Sequence, residues 1–124
     1  MNALEKLMQN LPEEFDAALI TSDINRRYYT EFASSAGTVV VTRDKSYFII
    51  DSRYYEAATA TVKSAEVLLQ DKLYAQISQL LKKHDAKTIG IETDTVSLTA
   101  FTAMKKALPD VTLSPSPALS EQIE

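Results

Sequence analysis

The apolar positions of this chain change their period several times, and each change marks an element. Leu4, Leu7, Met8 and Leu11 fall at i, i+3, i+4 and i+7, the stripe of an amphipathic helix. Pro12 predicts its end, because proline cannot continue the backbone hydrogen-bond ladder. Ala17-Ala18-Leu19-Ile20 is an unbroken apolar run between Asp16 and Thr21-Ser22-Asp23, the pattern of a strand buried on both faces. Ser22 or Asp23 can cap the helical turn that follows, since the first amides of a helix need a side-chain oxygen. Thr38 to Thr42 is β-branched and Tyr47 to Ile50 is aromatic and β-branched, with Arg43-Asp44-Lys45-Ser46 between them. These runs predict a hairpin closed by a loop rather than a two-residue turn.

Beyond Ile50 the pattern alternates between helix and strand. Ser52 is expected to cap a helix through Val62, Glu66 to Leu69 to form a strand, and Asp71 to cap a helix whose Leu73, Ile77, Leu80 and Leu81 share one face. Thr88 to Glu92 predicts the next strand. Leu98, Phe101, Met104 and Leu108 line a helix ended by Pro109, and Val111 to Leu113 predicts a last strand. Such alternation implies parallel strands joined by crossover helices, so the expected fold is α/β, a mixed sheet flanked by helices with one antiparallel hairpin. Ser114-Pro115-Ser116-Pro117-Ala118-Leu119-Ser120 has the composition of a linker, so residues 1–114 read as the domain and 115–124 as the start of a connection to another.

Composition narrows the function more than the fold. The 124 residues suffice for one core. The net charge of -4 is spread, with Glu13, Glu14 and Asp16 followed by Arg26, Arg27, Arg43 and Lys45. No basic run offers itself to a phosphate backbone, which argues against nucleic acid as a partner. The absence of cysteine excludes a disulfide framework and suits a reducing compartment. Glu5 and Lys6 interrupt the first apolar residues, and no run is long enough to span a bilayer, so the expectation is a soluble, cytoplasmic protein with no membrane partner.

Candidate chemistry is sparse. His84, the single histidine, follows Lys82 and Lys83 at the end of a predicted helix, where the dipole favours a solvated polar group. A zinc site built almost wholly of carboxylates would be atypical. Asp16, Asp51, Glu92 and Asp94 flank predicted strands and could gather around magnesium as in a ribonuclease H-type nuclease. Asp16 precedes its strand while Asp51 follows its own, and Asp94 and Asp71 look like helix caps, so caps and turn residues are the favoured reading. Ser34-Ser35 has neither a nucleophile elbow nor a histidine partner, and Gly37 and Gly90 stand alone, without a phosphate loop. Arg53 opens a helix, where its charge needs compensation. Asp51, Glu56 or Glu31 could pair with it, or it could clamp a carboxylate or another domain. Tyr28, Tyr29, Phe32, Tyr54 and Tyr55 add contact surface nearby.

Taken in order, Asn25, Tyr28, Thr30 and Phe32, then Ala33-Ser34-Ser35-Ala36-Gly37, the hairpin, and Asp51, Arg53, Tyr54 and Ala57 form a longer pattern. It resembles the N-terminal domain of the creatinase, prolidase and Xaa-Pro aminopeptidase family, where the usual sequence is N-x-x-Y-L-T-G-F, a glycine and serine loop, a hairpin and D-x-R-Y. Glu31 stands where that family often has glycine, and Ala33 and Ala36 stiffen the loop.

The resemblance covers nearly the whole chain and implies a ribonuclease H-like layout without its active site. It implies a non-catalytic domain, with catalysis in a following pita-bread domain where two Asp, one His and two Glu hold two divalent metal ions, commonly manganese. That domain cleaves Xaa-Pro bonds through a metal-bridged hydroxide. It further implies two partners, the chain's own catalytic domain and a homodimer partner whose active site this domain covers. By that likeness the loop from Thr30 to Gly37 limits access of the peptide substrate, with Tyr29, Phe32, Ser34, Ser35, Arg53 and Tyr54 as rim or interface residues. No catalytic residue, metal ligand or cofactor is expected within the chain itself. The alternatives are an acidic-site nuclease and a free-standing protein-binding module.

Overall fold

In a computed structural model, which describes residues 2–92 and 96–115, each apolar run becomes a strand and each amphipathic stripe a helix. The order is α1 (Ala3–Gln9), β1 (Ala17–Ile20), α2 (Asp23–Thr30), β2 (Thr38–Thr42), β3 (Ser46–Ile50), α3 (Ser52–Thr61), β4 (Glu66–Leu69), α4 (Leu73–Lys83), β5 (Thr88–Ile91), α5 (Leu98–Ala107) and β6 (Thr112–Pro115). The strands form one sheet in the order β4-β3-β2-β1-β5-β6. β2 is antiparallel to both β1 and β3, and every other neighbouring pair is parallel. The antiparallel part is therefore wider than one hairpin, because α2 returns the chain so that β2 also pairs with β1.

Helices cover both faces, so the strands alternate between two cores rather than between core and water. Ala18, Ile20, Val39, Val41, Phe48 and Ile50 pack with Leu4, Leu7 and Ala58 from α1 and α3. Ala17, Leu19, Val40, Tyr47, Ile49 and Ile89 pack with Ile77, Leu81 and Met104 from α4 and α5. This is why the runs in β1 and β2 show no polar alternation: every residue of both strands is buried.

Several boundaries differ from the expected ones. α1 stops at Gln9, because the Asn10 side chain donates to the Lys6 carbonyl at 2.9 Å and closes the helix before Pro12; Leu11 is buried beyond it. α3 is capped by Asp51 rather than Ser52, its carboxylate accepting the Arg53 amide at 3.0 Å. Asp71 does not cap α4. Lys72 occupies that position without a side-chain bond, while Gln76 reaches back, accepting the Asp71 amide and donating to the Leu69 carbonyl, both at 2.9 Å. Ser97 caps α5, and Leu98 is 81 % exposed instead of facing the core. The hairpin loop is Arg43 to Lys45, since Ser46 already pairs with Val41. β5 ends at Ile91, and β6 begins at Thr112 and reaches Pro115; the rest of the proline-serine tail and Asp94 lie outside the described residues. No helix among the described residues is long and apolar enough to cross a membrane.

Glu31 ends α2 in the left-handed region, at φ 58°, with its amide donating to the Arg27 carbonyl at 2.8 Å. A side chain at that conformation costs about 1–2 kcal/mol that glycine avoids, partly offset by the greater freedom of glycine in the unfolded chain. Glu31→Gly is therefore expected to raise stability by about 0.5–1 kcal/mol, read as a higher urea midpoint with unchanged slope. A lower midpoint would mean that the Glu31 side chain makes an interaction outweighing its backbone strain.

Candidate functional site

Because β1, β3, β4, β5 and β6 run the same way, their carboxyl ends share one edge of the sheet. α2 and α3 start at that edge, and the segment from Glu31 to Gly37 enters β2 there. The segment is turned by Thr30, whose hydroxyl donates to the Arg26 carbonyl at 2.7 Å and accepts the Phe32 amide at 3.3 Å. It is then held from beneath by Arg26, only 2 % exposed. Arg26 Nη2 donates to the Ser34 carbonyl at 2.9 Å and to Asp23 at 2.7 Å, Nη1 to the carbonyls of Thr21 at 2.8 Å and Gly37 at 3.4 Å, and Nε to Ser34 Oγ at 3.4 Å.

Four of the six expected rim residues come together on this loop and the start of α3. The Phe32 ring stands edge-on to Tyr54 and Phe48, with centroids 6.2 Å and 6.3 Å away. Ser35 Oγ and the Tyr54 hydroxyl are 2.8 Å apart, and the Ser35 amide donates to the same hydroxyl at 3.4 Å. The Arg53 guanidinium lies 5.2 Å from the Tyr54 ring centroid and pairs with Asp51 at 2.8 Å, which selects among the three carboxylates the sequence offered. The hydrogen bonds from Ser35 lower the Tyr54 phenol below its ordinary value, and Arg53 does the same for the Asp51 carboxyl.

The other two residues lie elsewhere. Ser34 points inward, donating to the Ala36 carbonyl at 2.8 Å beside Arg26. Tyr29 is buried in the core, where desolvation pushes its phenol up to about 12; the exposed aromatic residue of α2 is Tyr28.

The acidic residues do not converge. Asp16 accepts the amides of Lys87 and Thr88 at 2.8 and 3.1 Å, at the amino end of the parallel strands, and those bonds lower its pKa. Asp51 and Glu92 follow β3 and β5, three strand spacings or about 14 Å apart across the sheet. Glu92 is buried, and both oxygens are engaged: Oε1 accepts the amides of Thr21 and Ser22 at 2.7 and 3.0 Å, Oε2 the Ser22 hydroxyl at 2.8 Å and Asn25 Nδ2 at 2.6 Å. A cavity of about 250 Å³ there is lined mainly by apolar groups, Ile91, Val96, Leu98, Phe101 and Pro115, with Ser97 and the already engaged Glu92 as its polar members. Among the described residues no group of three or more His, Asp or Glu side chains could hold a metal ion. The nuclease alternative is not supported.

His84 is not a solvated surface residue. Its side chain is largely buried, with Nε2 2.7 Å from the Tyr47 hydroxyl and Nδ1 3.7 Å from Asp44, because the end of α4 lies over β3. Arg26 and Glu92 also went unrecognised as organisers. For Arg26 a signal existed: with Tyr29 and Thr30 it shares the i, i+3, i+4 face of α2 that turns inward.

A family profile described as the creatinase/prolidase N-terminal domain matches residues 1–123. The chain belongs to that family. The domain is 32 % identical over 110 residues to the uncharacterised peptidase YqhT of Bacillus subtilis strain 168, a match covering 88 % of this chain and 30 % of that protein. Its fold superposes on an Xaa-Pro dipeptidase from Bacillus anthracis with a TM-score of 0.86 and 28 % identity, covering 98 % of this chain and 36 % of that one. A chain described as an Xaa-Pro aminopeptidase from Streptococcus pyogenes gives 0.88 at 28 % identity, covering 98 % and 95 %. The creatinase/prolidase N-terminal domain thus spans less than a third of the length of the curated relatives it matches. Its motif residues mostly have folding roles: Asn25 binds Glu92, Thr30 turns the loop, Phe32 packs on Phe48, and Asp51 caps α3. Tyr28, 59 % exposed, has no such role beyond edge contact with Tyr29.

Proposed function

We propose that this chain is the non-catalytic N-terminal domain of an Xaa-Pro dipeptidase or aminopeptidase, and that it contributes to dimer assembly and limits substrate access to the active site of a partner subunit. The observation that carries this reading is the joined cluster of exposed Ser35 and Arg53 with half-buried Tyr54 at the carboxyl edge of the sheet, steadied by Phe32. A guanidinium over an aromatic ring offers a planar fork for a peptide carboxylate and a flat wall for its side chains. The expected boundary after residue 114 falls inside β6, so in this reading the domain runs to Pro115 and the residues after it lead to a catalytic domain. Two divalent ions there, manganese in our reading, would supply the hydrolytic water, with nothing required of this domain's side chains. The cysteine-free composition suits the cytoplasm.

The test uses the peptidase that carries this domain. Arg53→Ala combined with Tyr54→Phe is expected to change the ratio of kcat/KM for an Xaa-Pro dipeptide against a longer Xaa-Pro peptide by about tenfold, the effect of losing about 1.4 kcal/mol of discriminating contact. The kcat for the dipeptide should stay constant. Identical ratios in wild type and variant would remove the rim from the reading.

A further inference from the structure

We propose that Arg26 is the positioning residue of the rim: it fixes the shape of the segment from Ser34 to Gly37 and, through it, the placement of the Ser35–Tyr54 pair. The inference rests on the rim reading above, but its geometric half stands without it.

Arg26 is buried although its one carboxylate partner among the described residues, Asp23, is 78 % exposed. A pair so open to water contributes little, so ion pairing does not account for placing a guanidinium inside. What satisfies its donors instead is backbone: the carbonyls of Thr21, Ser34 and Gly37, with Ser34 Oγ as a further acceptor. Thr21 follows β1, and Ser34 and Gly37 bracket the loop, so one rigid planar group joins the sheet edge to both ends of the segment. Its stem also runs close to Gly37, where an added Cβ would come within 3.3 Å of Arg26 Cδ. Consecutive residues then face opposite ways, Ser34 inward to Arg26 and Ser35 outward to the Tyr54 hydroxyl. Turning the Ser34 peptide away from the guanidinium would swing Ser35 away from Tyr54. Lysine, a point charge on a flexible stem, cannot reproduce the fork.

The experiment compares Arg26→Lys and the milder Ser34→Ala with wild type in two measurements. In the 124-residue chain, 15N relaxation should show backbone order parameters for residues 33–37 falling from about 0.85 to below about 0.6 in Arg26→Lys, and less in Ser34→Ala. Val40 and Phe48 should keep their values, because a general loss of packing would lower them too. In the peptidase carrying this domain, both variants should shift the dipeptide-to-longer-peptide ratio of kcat/KM in the same direction as the Arg53 and Tyr54 changes, without altering kcat for the dipeptide. A loop as rigid as wild type in the folded variants overturns the role of Arg26. A loosened loop with unchanged ratios overturns the rim reading instead, so the two failures are told apart. If Arg26→Lys does not fold, Ser34→Ala carries both measurements.

Discussion

Replacing Glu92 with alanine is expected to lower stability by about 3–4 kcal/mol, a large share of the total for a domain of this size. The carboxylate accepts from two backbone amides, a hydroxyl and an amide side chain that come from the end of β1 and the first turn of α2. Removing it leaves those donors in a part-buried site, where each unsatisfied group costs about 1–3 kcal/mol before water enters. Glu92→Gln should cost less, about 1–2 kcal/mol, because its carbonyl oxygen still accepts the Thr21 and Ser22 amides while its NH2 group meets Asn25 donor to donor. Urea unfolding of the three proteins checks both values. A loss under about 1 kcal/mol for the alanine variant would show that water replaces the carboxylate without penalty.

Gly37→Ala is expected to cost about 3 kcal/mol and to lower the thermal midpoint by about 10 °C. Two independent effects add. The backbone at Gly37 has φ 136°, a conformation that side chains rarely adopt. A Cβ there would also stand 2.7 Å from Phe48 Cε1 and 3.0 Å from Ile50 Cδ1. Phe48 and Ile50 are fully buried between the helices and the sheet, so neither has free space to swing into. A calorimetric scan decides the matter, and a midpoint within about 2 °C of wild type would mean that the core yields more readily than its packing indicates.

The strands were the most legible part of this fold. Burial on both faces demands apolar residues without alternation, and Ala17–Ile20 and Thr38–Thr42 satisfy that with no competing reading. Helix starts were less legible where two capping residues stand side by side. Asp51 and Ser52 are both suited by chemistry, and only the local backbone, extended at Asp51, decides between them.

The candidate site was legible in part. The order of motif residues brought Phe32, Ser35, Arg53 and Tyr54 to the same edge, but the choice between Tyr28 and Tyr29 depends on the rotation of α2. A buried arginine on that helix conceals its inward face from any hydrophobic pattern. Glu92 and His84 were opaque for another reason: their partners lie about 70 and 37 residues away along the chain, a distance at which local pattern carries no information.

The central place of β1 has a consequence for how the polypeptide is made. One flank of this wholly apolar strand pairs with β2 nearby, while the other waits for β5, which starts about 70 residues later and is latched to it by Asp16 at one end and Glu92 at the other. At ordinary rates of translation that interval lasts roughly 4–14 s, during which Ala17 to Ile20 offers an open edge to any other nascent strand. The ribosome therefore delivers this apolar strand early and the cover of its second flank late, and the period before that cover arrives is when a chaperone would matter most to this protein.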